Sequence, residues 1–158
     1  MRKLVQALRL IVPNYSNEML IQYALLHGKI RSGELQSYLD TYTKTCLDCL
    51  GIDYKGNTEE QNLYLILVLM NMFDVNLYEA YSIVSHSSQE SISELRNHFA
   101  EIKYNVFNNA DECILQEIVG TSNGNLIDVD YFINAMHEKI QIETKMNLPA
   151  KKRLVNNT

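Results

Sequence analysis

The sequence has no tryptophan, two prolines, six glycines and three cysteines in 158 residues. So few chain breakers argue against an all-β protein, which needs a turn every ten residues or so, and make helices the first expectation. Cys46, Cys49 and Cys113 are an odd number without the spacing of a disulfide framework, which fits a reducing compartment. The longest apolar stretch, residues 63–70, falls well short of the roughly 18 to 20 residues that span a bilayer. Basic residues are outnumbered, 14 against 19 acidic, which argues against a chain built mainly to neutralise phosphates or coat an anionic membrane. Met1-Arg2-Lys3-Leu4 has neither the apolar run nor the cleavage site of a secretory signal. These absences lead to the expectation of a cytoplasmic protein with no membrane span and no nucleic-acid partner.

What is present is apolar periodicity at helical spacing. With 46% hydrophobic residues the chain is long enough for one cored domain or two small lobes. Leu4, Leu8, Ile11 and Val12 fall three and four apart with Arg2, Lys3 and Arg9 on the other face, a short basic amphipathic helix that Pro13 ends. Ser16 can cap a second helix carrying Met19, Leu20, Tyr23, Ala24 and Leu26. A third runs from about Gly33 to Leu50, turns Leu35, Tyr38, Leu39, Tyr42, Cys46, Cys49 and Leu50 inward, and stops at Gly51. From Thr58, Thr-Glu-Glu-Gln reads as a capped, acidic start to a buried helix through Phe73. Further helices are expected over 76–84, 92–106 and 111–119, with Asn108-Asn109 as a cap and Cys113, Ile114, Ile118 and Val119 inward. Ser85 to Ser91 reads as a polar loop, and a last helix carries Val129, Phe132, Ile133, Met136 and Ile140.

Helix, short loop, helix recurs four times, and Glu34, Asn62, Glu94 and Asp130 close the loops at intervals of 28, 32 and 36 residues. Such loops bind calcium when oxygen ligands stand at positions 1, 3 and 5, a glycine at 6 and a glutamate at 12. Residues 23–34 keep Gly28, Ile30 and Glu34 but offer Tyr23, Leu25 and His27 in the early positions. Residues 51–62 keep Asp53 and Gly56 and end in Asn62, and the unit ending at Glu94 is about two residues short. In the fourth unit Asn123, Gly124, Ile127, Asp128 and Asp130 follow the outline, yet position 1 is Val119 or Gly120.

Gly124 to Ile133 looks like the second half of a calmodulin-type loop running into its exit helix, with Glu79-Ala80-Tyr81 and Glu94-Leu95-Arg96 similar to the helices of the preceding hand. Ala7-Leu8-Arg9-Leu10-Ile11 followed by Tyr15-Ser16-Asn17-Glu18-Met19 resembles the junction of calcium-dependent protein kinases, ahead of their EF-hand region. About eight residues are missing between Ser16 and Glu34 relative to that family, and no Gly-rich loop, His-Arg-Asp or Asp-Phe-Gly signature is present. The resemblance implies an all-α regulatory domain with two EF-hand-like lobes. Their bounds are 1–15 for a junction-like helix, 16–74 and 75–143 for the lobes, and 144–158 for a basic tail.

Other motifs read plainly. Cys46-Leu47-Asp48-Cys49 has no second cysteine pair and lies in a helical pattern, so ordinary helix cysteines are expected. His27, His86, His98 and His137 show no ligand spacing, and Glu59-Glu60 suits a helix start better than acid-base work. No nucleophile and base are set together, so no catalytic residue is assigned. Met19, Met70, Met72 and Met136 suit either a core or an adaptable groove.

The expectation is a non-catalytic calmodulin-like regulatory domain that binds an amphipathic helix and controls a kinase, with calcium binding weak or lost and no cofactor assigned. Glu34, Asp53, Glu94, Asn123, Asp128 and Asp130 are the degenerate loop positions. Leu4, Leu8, Ile11, Met70, Met72, Phe73, Phe132 and Met136 are the candidate helix-binding residues. The helix is supplied in cis, residues 2–12 being basic against an acidic remainder, or by a kinase or myosin. A myosin-light-chain-like subunit and an unrelated helical adaptor are the alternatives.

Overall fold

Twelve consecutive residues of one helix, Asn62 to Phe73, are buried, and the rest of the fold is arranged around them. The structure is a computed structural model describing residues 33–73 and 75–147. The helices expected over 2–12 and 16–26, and residues 148–158, lie outside the described residues. The described residues form six α-helices and one short 3-10 turn, with no strand among them. The helices are α1 (Gly33–Cys49), α2 (Thr58–Phe73), α3 (Leu77–Ser88), α4 (Ile92–Asn109), α5 (Glu112–Val119) and α6 (Val129–Asn147).

α1 ends because Gly51 takes a positive φ of 74°, which lets the Ile52 amide bond the Leu47 carbonyl at 2.9 Å and the Gly51 amide bond Asp48 at 3.1 Å. α2 starts under Asn57, whose side-chain oxygen accepts from the amides of Glu59 and Glu60, rather than under Thr58. Asn76, Ser91, Asp111 and Asp128 serve α3, α4, α5 and α6 in the same way. The α5 cap is therefore Asp111 and not Asn108-Asn109, which remain at the end of α4. α3 continues through Ser88 where a loop was expected from Ser85. Only Gln89, Glu90 and Ser91 separate it from α4, and Ser85 Oγ donates to the Glu90 carbonyl across the corner.

α2 can be buried on every side because α1, α3, α4 and α6 all pack on it. Burial of each Leu, Ile or Val in that run stabilises the fold by about 1.5 to 3 kcal/mol before conformational entropy is set against it. α6 crosses the molecule, packing on α1, α2, α4 and α5 through Phe132, Ile133, Met136 and Ile140. The buried side chains of all six helices accordingly form one cluster. Residues on both sides of position 74 contribute to that cluster, with α2 packing directly on α6. Thr144 is buried and α6 runs to Asn147, past the expected start of the tail at 144.

One polar knot is set into this core. Asn71 is fully buried in α2; its amide nitrogen donates to Thr43 Oγ1 of α1 at 3.3 Å. Its oxygen accepts from Gln141 Nε2 at 2.8 Å and lies 2.6 Å from His137 Nδ1, both on α6. The bonds tie three helices at one level and compensate the burial of the amide.

Candidate functional site

The degenerate loop positions do not converge. Asp53 accepts from the amides of Lys55 and Gly56, closing its own turn. Glu94 is exposed in the first turn of α4, its amide held by Ser91 Oγ. Asn123 accepts from Asn125 N ahead of the 3-10 turn, and Asp128 caps α6. Asp130 accepts from Tyr81 Oη at 3.0 Å and pairs with Arg96 at 3.2 Å, the guanidinium also lying 4.9 Å from the Tyr81 ring centre. Burial, then the Asp130 charge, pushes the Tyr81 hydroxyl well above the usual tyrosine range. Glu34 lies in α1, its side chain outside the described residues. Among the described residues no three His, Cys, Asp or Glu side chains are grouped to hold a metal ion.

A fixed cation does stand at the fourth loop. Lys103 Nζ, from α4, donates to the carbonyls of Gly124 at 3.0 Å and Ile127 at 2.7 Å. Gly124 is needed for this closure, since a Cβ there would meet Phe107 Cγ at 2.8 Å.

The helix-binding candidates inside the described residues are core. Met70, Met72, Phe73, Phe132 and Met136 are each at most 5% exposed, because α2 and α6 turn them toward one another and toward α1 and α4 rather than toward a groove. Leu4, Leu8 and Ile11 lie outside the described residues.

The open apolar surface is elsewhere. α1 and α5 both pack on α6, and between them lies a trough of about 220 Å³ walled by Tyr42, Cys46, Ile114, Ile118 and Ile140. Lys139 crosses its rim, 3.3 Å from Glu117 and 2.8 Å from Glu143, and the bond to Glu143 holds the ammonium above the usual lysine range. A separate pocket of about 260 Å³, which has only Cys49 in common with the trough, is bounded by Asp48, Glu60, Ile102, Val106 and Asp111. Cys46 is buried in the wall and its thiol is pushed up to about 12, by burial first and then by Cys49, with Lys139 opposing.

Cys49 and Cys113, expected inward, are exposed, and Leu115 is the α5 residue that joins Val119 in the core. Ile114 and Ile118 sit one position earlier on the helix turn, half-buried, and face the trough. Ile114, Leu115, Ile118 and Val119 share an arc of about 140° on α5, with Leu115 and Val119 toward the core and Ile114 and Ile118 at its edge.

Comparison of the chain with protein families, with curated proteins and with solved structures gave no match.

Proposed function

We propose that this chain is a non-catalytic binding module that takes an amphipathic helix into the α1–α5–α6 trough. The supporting observation is the trough itself: Tyr42, Ile114 and Ile118 are left half-covered together beside the buried Cys46 and Ile140. α1 and α5 flank an apolar floor on α6, an arrangement that suits a helix inserted between them. Of the named kinds of module, a helical adaptor fits best, because the three-residue link between α3 and α4 leaves no room for a twelve-residue ion-binding loop. A regulatory domain controlling a kinase, or a light-chain-like subunit, rests on the resemblance at Ala7 to Ile11 and in the fourth unit. In either version the module acts by holding a helix, with calcium playing little part.

The test is titration of the full chain with a fluorescent 14-residue amphipathic peptide of leucine and lysine. Saturable binding at micromolar concentration is expected, with about tenfold weaker binding for Ile118→Glu, a charge set into the trough wall. Ile114→Gln, a milder change beside it, guards against loss through misfolding, and the unfolding midpoint of each variant is measured alongside. Absence of binding to the native chain would refute the proposal.

A further inference from the structure

His98 of α4 lies between two carboxylates from different parts of the chain. Its Nε2 is 3.5 Å from Glu59 Oε1, in the first turn of α2, and its Nδ1 is 3.4 Å from Glu90 Oε2, in the link between α3 and α4. Nδ1 and Glu90 Oε2 are both shielded from solvent, and neither has a hydrogen-bond partner among the described residues. Two buried polar atoms thus face each other with nothing joining them, which costs free energy unless one group satisfies both. A neutral imidazole cannot serve both carboxylates. It carries one N–H and one lone pair, so in either tautomer one carboxylate faces a lone pair. Only the doubly protonated ring donates in both directions. The surrounding charges leave this place to the proton: among the described residues neither Glu59 nor Glu90 forms an ion pair with any other side chain. Glu60 turns away to the Asp53 amide, and Glu94 and Glu101, a turn to either side of His98 on α4, are exposed, as is His86 near the end of α3. Facing α4 from α6, Asp130 is taken by Arg96, and Lys103 of α4 is held by the carbonyls of Gly124 and Ile127.

We propose that His98 is a proton-operated clasp: with a second proton, taken from solvent, it joins the start of α2 and the α3–α4 corner to α4, and without it one of the two is released. The corner is built to hold Glu90 in place. It is three residues long, and the Glu90 carbonyl accepts from Ser85 Oγ while its amide donates to Ser88 Oγ at 3.3 Å. Histidine is the side chain whose charge ordinarily changes between about pH 5 and 8, so the clasp responds to mild acid. The fold gains from the proton more than the unfolded chain does, since only the fold sets both carboxylates beside the ring. The stabilisation is therefore present in mildly acidic solution and is lost as pH rises and the ring gives up the proton. Nothing in this depends on what the trough binds.

Urea unfolding of the full chain at about pH 5.5 and about pH 8 reads the clasp, with Glu90→Gln as the main variant. The substitution keeps the shape, removes the charge, and brings an amide N–H that can donate to the bare nitrogen of a neutral ring. At the lower pH the folded-to-unfolded ratio is expected to fall about fivefold relative to the native chain, and at the higher pH to be equal or greater. Glu59→Gln should show the same dependence on pH in smaller measure, Glu59 being the more exposed carboxylate, and it supplies the comparison if Glu90→Gln does not fold. In a chain already carrying His98→Gln, Glu90→Gln should act alike at both pH values. An equal effect of Glu90→Gln at both pH values in the native background would reduce the residue to packing and overturn the proposal. Persistence of the pH dependence in the His98→Gln background would place the proton on another group and overturn it as well.

Discussion

The ammonium of Lys103 lies 2.7 Å from the carbonyl oxygen of Ile127, on the loop that most resembles an ion-binding one. With the second bond, to Gly124, it does from within the chain what a bound ion does for a loop of inward carbonyls. Lys103→Met should cost about 1 to 3 kcal/mol, the range for leaving partly buried carbonyls unpaired. Urea unfolding measures it. Calorimetric titration of the native chain with calcium is expected to show no tight site, because a divalent ion at those carbonyls would have to displace the ammonium. Tight binding in the native chain would contradict this.

Asn71 is a second point where one side chain closes several accounts. Asn71→Ala removes the acceptor for Gln141 and His137 and the donor to Thr43, at the level where α1, α2 and α6 meet. A loss of about 3 kcal/mol is expected, close to that of a large core truncation although few apolar atoms are removed. Thermal unfolding of Asn71→Ala beside Thr41→Ala, an exposed α1 hydroxyl bonded only to its own helix, separates the knot from general helix effects. Equal losses would mean the knot contributes nothing special.

Alkaline pH should unfold the chain earlier than its charge balance suggests. The Cys46 thiol is raised to about 12 in the fold from 9.0, and the hydroxyls of Tyr64 and Tyr81 are held above their ordinary range, mainly by burial. Each is a group whose neutral form the fold favours. Below pH 9 both states keep the Cys46 proton and stability does not change on its account. Between 9 and 12 the unfolded chain releases it while the folded chain retains it, so stability falls by about 1.4 kcal/mol per pH unit for this one group. The two tyrosines add the same sign from about pH 10 upward. Urea midpoints from pH 8 to 11 test the slope, and Cys46→Ala should flatten its first unit. At pH 8 a maleimide should label Cys49 and Cys113 and spare Cys46.

Gly124→Ala places a methyl group against the Phe107 ring, with contacts of 2.8, 3.1 and 3.2 Å to its atoms. The ring also packs on Phe132, 6.0 Å between centres, so withdrawing from the methyl group disturbs that contact. A cost of about 1 to 3 kcal/mol is expected, with a shift of the Phe107 ring signals in NMR. Asn125→Ala, next along the same turn and exposed, should change neither.

The helices between Gly33 and Asn147 were legible because their signals are local. Apolar spacing in α4 and α6, Gly51 after α1 and Glu59-Glu60 at the start of α2 each act within a few residues of where they stand. The run Leu63 to Met70 gave a helix for the right reason, its acidic start, although periodicity there is silent. Association between helices was not legible. Met70, Met72, Phe73, Phe132 and Met136 carry the same pattern whether they line a groove or face one another, and only the pairing of α2 with α6 decides. Glycine and acid spacings suggested four loops of one kind, but Asp53, Asp128 and Asp130 turn out to serve a turn, a cap and an ion pair. Those roles depend on single hydrogen bonds that residue type does not reveal. The trough escaped notice because its walls come from residues 42–49 and 114–118, about seventy positions apart.

A helix with no solvent face gives the chain an unusual relation between its parts. Residues 75–147 made alone would leave the α6 side chains Phe132, Ile133, Met136 and Ile140 without their α2 counterpart, and residues 33–73 alone would bare most of α2. Neither half would keep its apolar faces covered alone. During synthesis α2 emerges well before α6, so its apolar surface must wait, in the company of whatever the cell offers for such surfaces, until the last helix is made.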